Sequence, residues 1–384
     1  MSLTTSKAQE AGMTVVGIEN VDRTARRLVE EGITPAQVTF ASRRGITVHH
    51  AAYGTLTPAP DSPPLELDSL FPLCSITKVV TAASIMLLVE EGRVGLNRPV
   101  ADYIPEFTGE GKHEIRVHHL LTHTSGIRPE DVYPHIDSKK GTAAIPPCPP
   151  GQDPETHEHL SLGFDVPAAV KPGTVMYYLG FGYELLGEII RRVTGQTHDQ
   201  FAAERLFKPL GMNDTYYSVP ESEWHRIVQR SPEAPCAEWI NEELVRSASA
   251  SGGIYSTARD LAVFAQMFLN KGIYEGARIL SPVSVIDMTR NHIPGVPAEY
   301  RDEVFAEASW GYGWAINGSK RDGGDLFSPE AYNHWGAAGV FVSVDPVYET
   351  VQVYLSVELD HQKPFKNIYA DLYNNTVLAA IADL

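Results

Sequence analysis

The sequence predicts an α/β fold of the α+β kind, in which helices flank an antiparallel sheet and a mainly helical domain is inserted into the chain. Residues 38–53 and 310–357 alternate like strands, and helical patterns broken by proline and glycine fill the chain between them. Strands at both ends must meet in one sheet to bury their apolar faces. We therefore expect an α/β domain of residues 1–72 and 300–384, a helical domain of residues 73–299, and an active site between them.

The N-terminal part contains a predicted helix and a predicted hairpin. In residues 17–32 the apolar side chains recur at helical spacing, which indicates an amphipathic helix. Residues 38–42 and 46–53 are rich in strand-forming side chains, and the turn at residues 43–45 ends in glycine. Because glycine adopts the positive φ that a tight turn requires, these segments predict an antiparallel hairpin.

Helices are predicted next, and the first of them has a serine at its start. Residues 75–91 are apolar on several faces and are followed by Gly92, so they predict a buried helix that Ser75 opens and the glycine ends. Residues 183–193 and 258–269 also have helical spacing. The middle of the chain is therefore expected to be mainly helical.

One stretch within the helical part and the end of the chain have different patterns. Residues 127–172 are rich in proline and have little periodicity, which predicts a long irregular loop that walls the substrate pocket. Residues 340–344 and 350–357 are strand-like and flank an Asp-Pro turn, so they predict an antiparallel hairpin. A final helix is expected at about residues 367–382.

Composition limits the possible partners and compartment. The chain has 384 residues and a net charge of −17, which would repel nucleic acid and anionic lipid, so neither is an expected partner. Its three cysteines, Cys74, Cys148 and Cys236, are too few and too scattered for a disulfide framework or a zinc site. With no signal peptide or membrane span apparent, we expect a cytoplasmic protein without metal or cofactor. These features leave the oligomeric state open.

A serine and a lysine three residues apart provide the first chemical signal. Ser75 is the one serine in the chain that is followed at this spacing by a lysine, Lys78. On a helix the two side chains share a face, and burial near the helix N-terminus would lower the pKa of the lysine toward that of a usable base. The same spacing also fits a capping serine beside a solvated lysine, so the motif alone leaves both interpretations open.

Further motifs, in the same order along the chain, give a resemblance to a known family. The sequence resembles the serine β-lactamase and penicillin-binding-protein superfamily, especially class C β-lactamases and family VIII carboxylesterases, over about residues 20–380. The segments that carry this resemblance are residues 73–79, 117–127, 209–215 and 251–260. It implies a β-lactamase-like fold and an acyl-enzyme formed on Ser75, without metal or cofactor.

The family's second motif, Y-x-N, corresponds here to Tyr178-Leu179-Gly180. Its spacing from the preceding Pro172-Gly173 selects Tyr178 over Tyr177, and the resemblance implies that Tyr178 is the general base beside Lys78. Gly180 replaces the asparagine that holds the amide of lactam substrates. Lactam recognition is therefore expected to be weak.

The third motif of the family corresponds to His334-Trp335-Gly336, followed by Ala337. The resemblance implies an oxyanion hole formed by the backbone amides of Ser75 and Ala337, with Gly336 allowing close backbone approach. Trp335 fits core packing and substrate contact equally well. His334 replaces a lysine that binds the lactam carboxylate, and we expect acidification to protonate it.

These motifs predict a serine carboxylesterase that acts on short-chain, small-molecule esters. The alternatives with the same chemistry are a β-lactamase, a D-amino-acid peptidase and an acyltransferase; a non-catalytic penicillin-binding-like sensor is disfavoured because Ser75, Lys78 and Tyr178 are all present. The chain has no G-x-S-x-G segment, so an esterase of the α/β-hydrolase type is not indicated.

Overall fold

The computed structural model of the chain describes residues 2–234, 237–300, 303–321, 323–337, 339–357 and 368–384. Within these residues the helices are α1 (Val15–Glu30), α2 (Thr77–Glu90), α3 (Val117–Leu121), α4 (Pro129–Lys139), α5 (Pro154–Gly163), α6 (Gly180–Thr194), α7 (His198–Ala202), α8 (Lys208–Leu210), α9 (Ala258–Leu269), α10 (Pro282–Met288) and α11 (Ile368–Ala379). The strands are β1 (Thr4–Thr5), β2 (Ala36–Arg43), β3 (Ile46–Gly54), β4 (Phe71–Pro72), β5 (Met176–Tyr177), β6 (Tyr255–Ser256), β7 (Ile273–Tyr274), β8 (Ala277–Arg278), β9 (Ala298–Tyr300), β10 (Glu303–Phe305), β11 (Ala315–Ile316), β12 (Tyr332–Gly336), β13 (Val340–Asp345) and β14 (Thr350–Ser356).

The central sheet joins the two ends of the chain, as the sequence predicts. Its strand order is β1-β3-β2-β14-β13-β12-β11. N-terminal β2 pairs antiparallel with C-terminal β14, so that Val38 lies opposite Leu355. The expectation of an antiparallel sheet needs one correction, because the edge strand β1 runs parallel to β3. A strand of two residues has too little alternation for the sequence to reveal it.

Both faces of this sheet are covered by helices. Ala41 and Tyr354 pack with α1 and α11 on one face, in a cluster that includes Val21 and Tyr373. Their neighbours along β2 and β14 belong instead to the main core cluster, which contains the apolar residues of α9. This division follows from strand geometry, since successive side chains point to opposite faces.

Most of the predicted elements are confirmed. Helix α1 and the β2–β3 hairpin are present, and Arg44 and Gly45 both have positive φ, at 52° and 75°, as a two-residue turn of type I′ requires. The β13–β14 hairpin is antiparallel. The last helix begins at Ile368; residue 367, where we expected its start, lies outside the described residues.

Residues 127–172 are only partly the irregular loop that we expected, since residues 140–153 have no helix or strand but lie between two helices. They contain α4 and α5, each of which has a proline, Pro129 and Pro154, in its first turn. Proline is tolerated there because the first helical N–H groups have no partner within the helix. The Asp153 side chain also caps α5 by accepting a hydrogen bond from the Thr156 N–H at 2.7 Å. These prolines therefore begin helices in this stretch.

The start of α2 lies against the end of β12. The helix itself begins at Thr77, and Ser75 lies in the 3₁₀ turn Cys74–Ile76 that leads into it, so the helix starts two residues later than expected. A methyl group on Gly336 would overlap the Leu73 carbonyl oxygen and would lie 3.2 Å from Cys74 Cβ. Glycine at this position thus lets the sheet approach the serine turn.

Gly336→Ala is expected to push β12 away from this turn. Since the new methyl group would meet backbone atoms that cannot easily move, we expect a loss of about 1–3 kcal/mol in the free energy of unfolding, measured by urea denaturation. Gly182→Ala is the control, because its methyl group would find its nearest neighbour, Leu120 Cδ2, at 3.8 Å. Equal stability of the two variants would contradict the close approach inferred at Gly336.

Candidate active site

The structure brings Ser75 and Lys78 together. Lys78 Nζ donates hydrogen bonds to Ser75 Oγ at 3.0 Å and to the Ser251 carbonyl oxygen at 2.8 Å. The lysine is only 3% exposed, so the alternative of a solvated lysine does not apply. The three-residue spacing thus brings a buried amine into contact with the serine hydroxyl, although Ser75 lies in the 3₁₀ turn that precedes the helix.

Burial determines the proton affinity of this amine. Desolvation lowers the pKa of Lys78 to about 7, against smaller opposing effects of the charges of Glu184 and Cys74. At neutral pH a large fraction of the side chain is therefore uncharged. An uncharged amine at this distance from Ser75 Oγ can accept a proton, which is the property required of a base.

A segment from the middle of the chain fixes the beginning of α2. The Leu73 N–H donates to the Ile254 carbonyl at 2.8 Å, and the Ile254 N–H donates to Thr77 Oγ1 at 3.1 Å. One turn further along α2, Thr81 Oγ1 donates to the Ala250 carbonyl at 2.7 Å. The sequence includes residues 251–260 in the family resemblance but assigns them no place in the site. The structure shows that they position the amine's second hydrogen-bond acceptor.

Tyr178 lies beside the same amine. Its ring centroid is 5.0 Å from Lys78 Nζ, a distance at which the ring face attracts a cation. Tyr177, the alternative candidate for this position, belongs to β5 and pairs there with Glu299 of β9. Of these two neighbours, Tyr178 is the one placed against Lys78.

His123, which is not among the site residues predicted from the sequence, holds the backbone on both sides of Tyr178. Its carbonyl accepts the Tyr177 N–H at 2.9 Å, and its Nδ1 accepts the Leu179 N–H at 3.1 Å. The residue has a φ of 58°, which is uncommon outside glycine. Burial holds the pKa of His123 well below its usual range, so the neutral ring keeps an acceptor at Nδ1. The signal that could have found it is its position in the segment 117–127.

His334 is fully buried in β12. Its Nδ1 is 2.7 Å from the Trp335 carbonyl oxygen and donates to it, because a carbonyl can only accept. Burial, and then the charge of Lys78, lower the pKa of His334 to about 3. Acidification would therefore protonate this histidine only far below the pH at which a free imidazole titrates, which corrects our expectation, and the reason is desolvation.

The other residues of the third motif surround the tyrosine. Trp335 is partly exposed and stacks on the Tyr178 ring at a centroid distance of 5.9 Å. Trp310 fills the space behind them, with its ring 6.0 Å from that of Tyr178. Ala337 is partly buried and packs against the main core next to Gly336. Trp335 thus combines packing with access to solvent, and the structure is compatible with both of its expected roles.

Two hydroxyl groups lie near Gly180, the position at which the family has an asparagine. A Cβ atom on Gly180 would lie 3.4 Å from Ser251 Oγ and 3.5 Å from Tyr133 Oη. Tyr133 belongs to α4, so the stretch 127–172 does reach the site. In place of a carboxamide, this side of the site therefore presents hydroxyl groups.

Two findings on the described residues concern metal ions and membranes. No group of three or more His, Cys, Asp or Glu side chains in these residues is arranged to hold a metal ion. Every helix in the same residues is too short or too polar to cross a lipid bilayer.

Comparison with known proteins identifies the family. The family model described as Beta-lactamase matches residues 21–373. The chain belongs to this family. It is 31% identical over 283 residues to penicillin-binding protein 4 of Amycolatopsis lactamdurans, which covers 71% of this chain and 67% of the relative. A protein of Escherichia coli K12, whose name proposes a D-alanyl-D-alanine carboxypeptidase, is 26% identical to this chain. The match covers 92% of this chain and 85% of that protein.

A solved structure supports the same fold. A family VIII carboxylesterase superposes with a TM-score of 0.74 at 24% identity, covering 96% of this chain and 98% of its own. The family resemblance and the β-lactamase-like fold predicted from the sequence are thus confirmed. The protein is a serine hydrolase of the beta-lactamase fold.

Replacing the buried amine is expected to stabilise the protein. In the unfolded chain Lys78 has its ordinary pKa of 10.5, and in the folded chain about 7. The cost of burying it is therefore present in full below about pH 7 and disappears as the pH rises toward 10.5. We expect Lys78→Met to raise the free energy of unfolding by about 1–3 kcal/mol at pH 6, with less gain at pH 10.

Urea denaturation at the two pH values measures this effect. Lys208→Met, which changes an exposed lysine of α8, is the control and should change stability little at either pH. A Lys78→Met variant that is less stable than the wild type at pH 6 would contradict the burial cost.

Proposed function

We propose that the protein is a serine carboxylesterase that hydrolyses short-chain esters through an acyl-enzyme on Ser75. The observation that carries the proposal is the buried amine of Lys78, 3.0 Å from Ser75 Oγ and with a pKa lowered to about 7. An ordinary serine hydroxyl is a weak nucleophile, and an adjacent base removes this limitation. The arrangement therefore suits attack on a carbonyl carbon.

In the acylation step, Ser75 Oγ forms a bond to the ester carbonyl carbon while its proton passes to the pair formed by Tyr178 and Lys78. The carbonyl electron pair moves onto oxygen, where the backbone amides of Ser75 and Ala337 stabilise the charge. When the carbonyl re-forms, the bond to the alcohol oxygen breaks and the alcohol leaves with the proton. The acyl group then remains on Ser75.

Water completes the reaction. It gives a proton to the same pair of residues as its oxygen bonds to the acyl carbon, and the bond to Ser75 Oγ then breaks with return of the proton to the serine. The acid is released and the starting state is restored. An alcohol or amine in place of water would make the same step an acyl transfer.

Two features of the site favour neutral esters over lactams. Gly180 has no carboxamide for the amide of a lactam substrate. His334, with its pKa lowered to about 3, remains uncharged near neutral pH and cannot supply the fixed charge that a lactam carboxylate requires. A simple ester needs neither group. We therefore place esters ahead of penicillins and cephalosporins.

A D-amino-acid peptidase is the second candidate function. The Escherichia coli relative is named for this activity, and its substrates end in a carboxylate. One cation favours the candidate here: Lys320 Nζ lies 5.7 Å from the Trp310 ring centroid, and its charge acts on His334. Lys320 could therefore attract a substrate carboxylate from the rim of the site.

A substrate panel tests the choice. We expect the wild type to hydrolyse short p-nitrophenyl esters well and nitrocefin and a D-alanyl amide slowly, and Ser75→Ala to lose ester hydrolysis. Mass spectrometry should find one phosphonate adduct on Ser75 of the wild type. Faster turnover of the D-alanyl amide than of every ester would favour the peptidase, and full ester activity in Ser75→Ala would exclude the mechanism.

The tyrosine register is tested by a pair of substitutions. Tyr178→Phe is expected to lower kcat for ester hydrolysis by about 10²-fold, the usual scale for losing a general base, with little change in stability. Tyr177→Phe is the matched control one residue away. A larger loss of kcat in Tyr177→Phe than in Tyr178→Phe would reject the assignment.

A further inference from the structure

We propose that Glu184 is a positioning residue of this active site, whose carboxylate holds residues 249–251 so that the Ser251 carbonyl faces the Lys78 amine. The inference deepens the proposed function and rests on the role of Lys78 as a base. Glu184 lies on α6, which begins two residues after Tyr178.

The Glu184 carboxylate accepts hydrogen bonds from three successive residues. Its Oε1 accepts from Ser249 Oγ at 2.6 Å and from the Ser251 N–H at 3.0 Å. Its Oε2 accepts from the Ala250 N–H at 3.2 Å. Because both oxygens are engaged by one short stretch of backbone, the carboxylate fixes the orientation of that stretch.

This orientation is transmitted directly to Lys78. The residue whose N–H donates to Glu184 is Ser251, and its carbonyl oxygen accepts the Lys78 Nζ hydrogen bond at 2.8 Å. On the other side, Thr81 Oγ1 donates to the Ala250 carbonyl at 2.7 Å. The stretch is thus held between α6 and α2, and Ser251 links the Glu184 carboxylate to the Lys78 amine.

The electrostatic surroundings of Lys78 make this carboxylate important. The groups that face or act on the lysine are Ser75, Cys74, His123, Tyr178, Tyr183, Glu184 and His334. Burial lowers the pKa of both histidines, so they are neutral near pH 7. Glu184 is the carboxylate in this set, and its charge opposes the effect of burial on the amine.

The hydrogen-bond partners of Glu184 leave its charge uncompensated. All three of its donors are uncharged groups. One turn later on α6, Glu188 instead forms ion pairs with Arg191 at 2.7 Å and with Arg192 at 2.6 Å. The charge of Glu184 also acts on three neighbouring groups, Tyr133, His159 and Tyr217. A negative charge that no cation offsets favours the protonated form of a nearby amine, and Lys78 is among the groups on which this charge acts.

An NMR titration of lysine labelled with ¹³C at Cε tests the inference on the full chain. The Lys78 resonance is assigned by its absence from Lys78→Met. We expect the Lys78 titration midpoint to fall by about half a pH unit to one unit in Glu184→Gln, because removal of the negative charge favours the neutral amine. Glu155→Gln, an exposed glutamate of α5, should leave the midpoint unchanged.

Two further variants separate charge from geometry and guard against misfolding of Glu184→Gln. Glu184→Asp keeps the charge with a shorter reach, and Ser249→Ala removes one donor. Both should keep the Lys78 midpoint within a few tenths of a unit of the wild type, while lowering kcat more than they change KM. A Glu184→Gln midpoint equal to that of the wild type would overturn the inference; if that variant does not fold, an unchanged kcat in both other variants would overturn it.

Activity distinguishes failure of the inference from failure of the proposed function. If the wild type cleaves no ester, the esterase proposal fails, and the NMR midpoint still decides the role of Glu184. If the wild type is an active esterase, the acidic limb of its kcat/KM profile should move to lower pH in Glu184→Gln along with the NMR midpoint. An active enzyme with an unmoved midpoint retains the esterase function and loses the role of Glu184.

Discussion

The burial of one amine is the constraint on which the site depends. Lys78 lies in the first turn of α2, where it is shielded from water and has a carbonyl and a serine hydroxyl as hydrogen-bond partners. Burying an amine is unfavourable, and the cost is tolerated only where the surrounding structure supplies hydrogen-bond partners in place of water. Residues 249–254, the β5–α6 connection and the end of β12 all converge on this turn. The sheet and the helical part of the chain are thus joined at the place where the chemistry is proposed to occur.

The sequence could predict those parts of the molecule whose signals are local. Alternation in β2, β3, β13 and β14 identified both hairpins, and their placement at opposite ends of the chain implied a shared sheet. The spacing of Ser75 and Lys78 predicts that their side chains lie close together, and the structure shows this contact. These inferences need only a short window of sequence and a known backbone geometry. The choice of Tyr178 instead rests on the resemblance to the family.

Features that depend on contacts between distant segments could not be predicted in this way. His123 supports Tyr178 across 55 positions in sequence, and Glu184 reaches Ser251 across 67. Nothing in the local pattern of either residue reveals the partner. The neutral state of His334 likewise depends on how deeply β12 is buried. Pro129 and Pro154 misled for a different reason, because proline commonly breaks a helix in its interior but favours it in its first turn.

The desolvation that lowers the pKa of Lys78 also affects which substrates suit the site. A site enclosed by the rings of Tyr178, Trp310 and Trp335 lowers the pKa of any basic group within it. The amine of Lys78 therefore becomes a usable base, and His123 and His334 lose their charge. A lysine at the third motif would face the same penalty in addition to repulsion from Lys78. The aromatic enclosure therefore favours proton transfer and disfavours a fixed cation for a substrate carboxylate. In a neutral ester, charge develops only at the carbonyl oxygen during the reaction. This substrate class therefore gains from the proton transfer and needs no fixed cation.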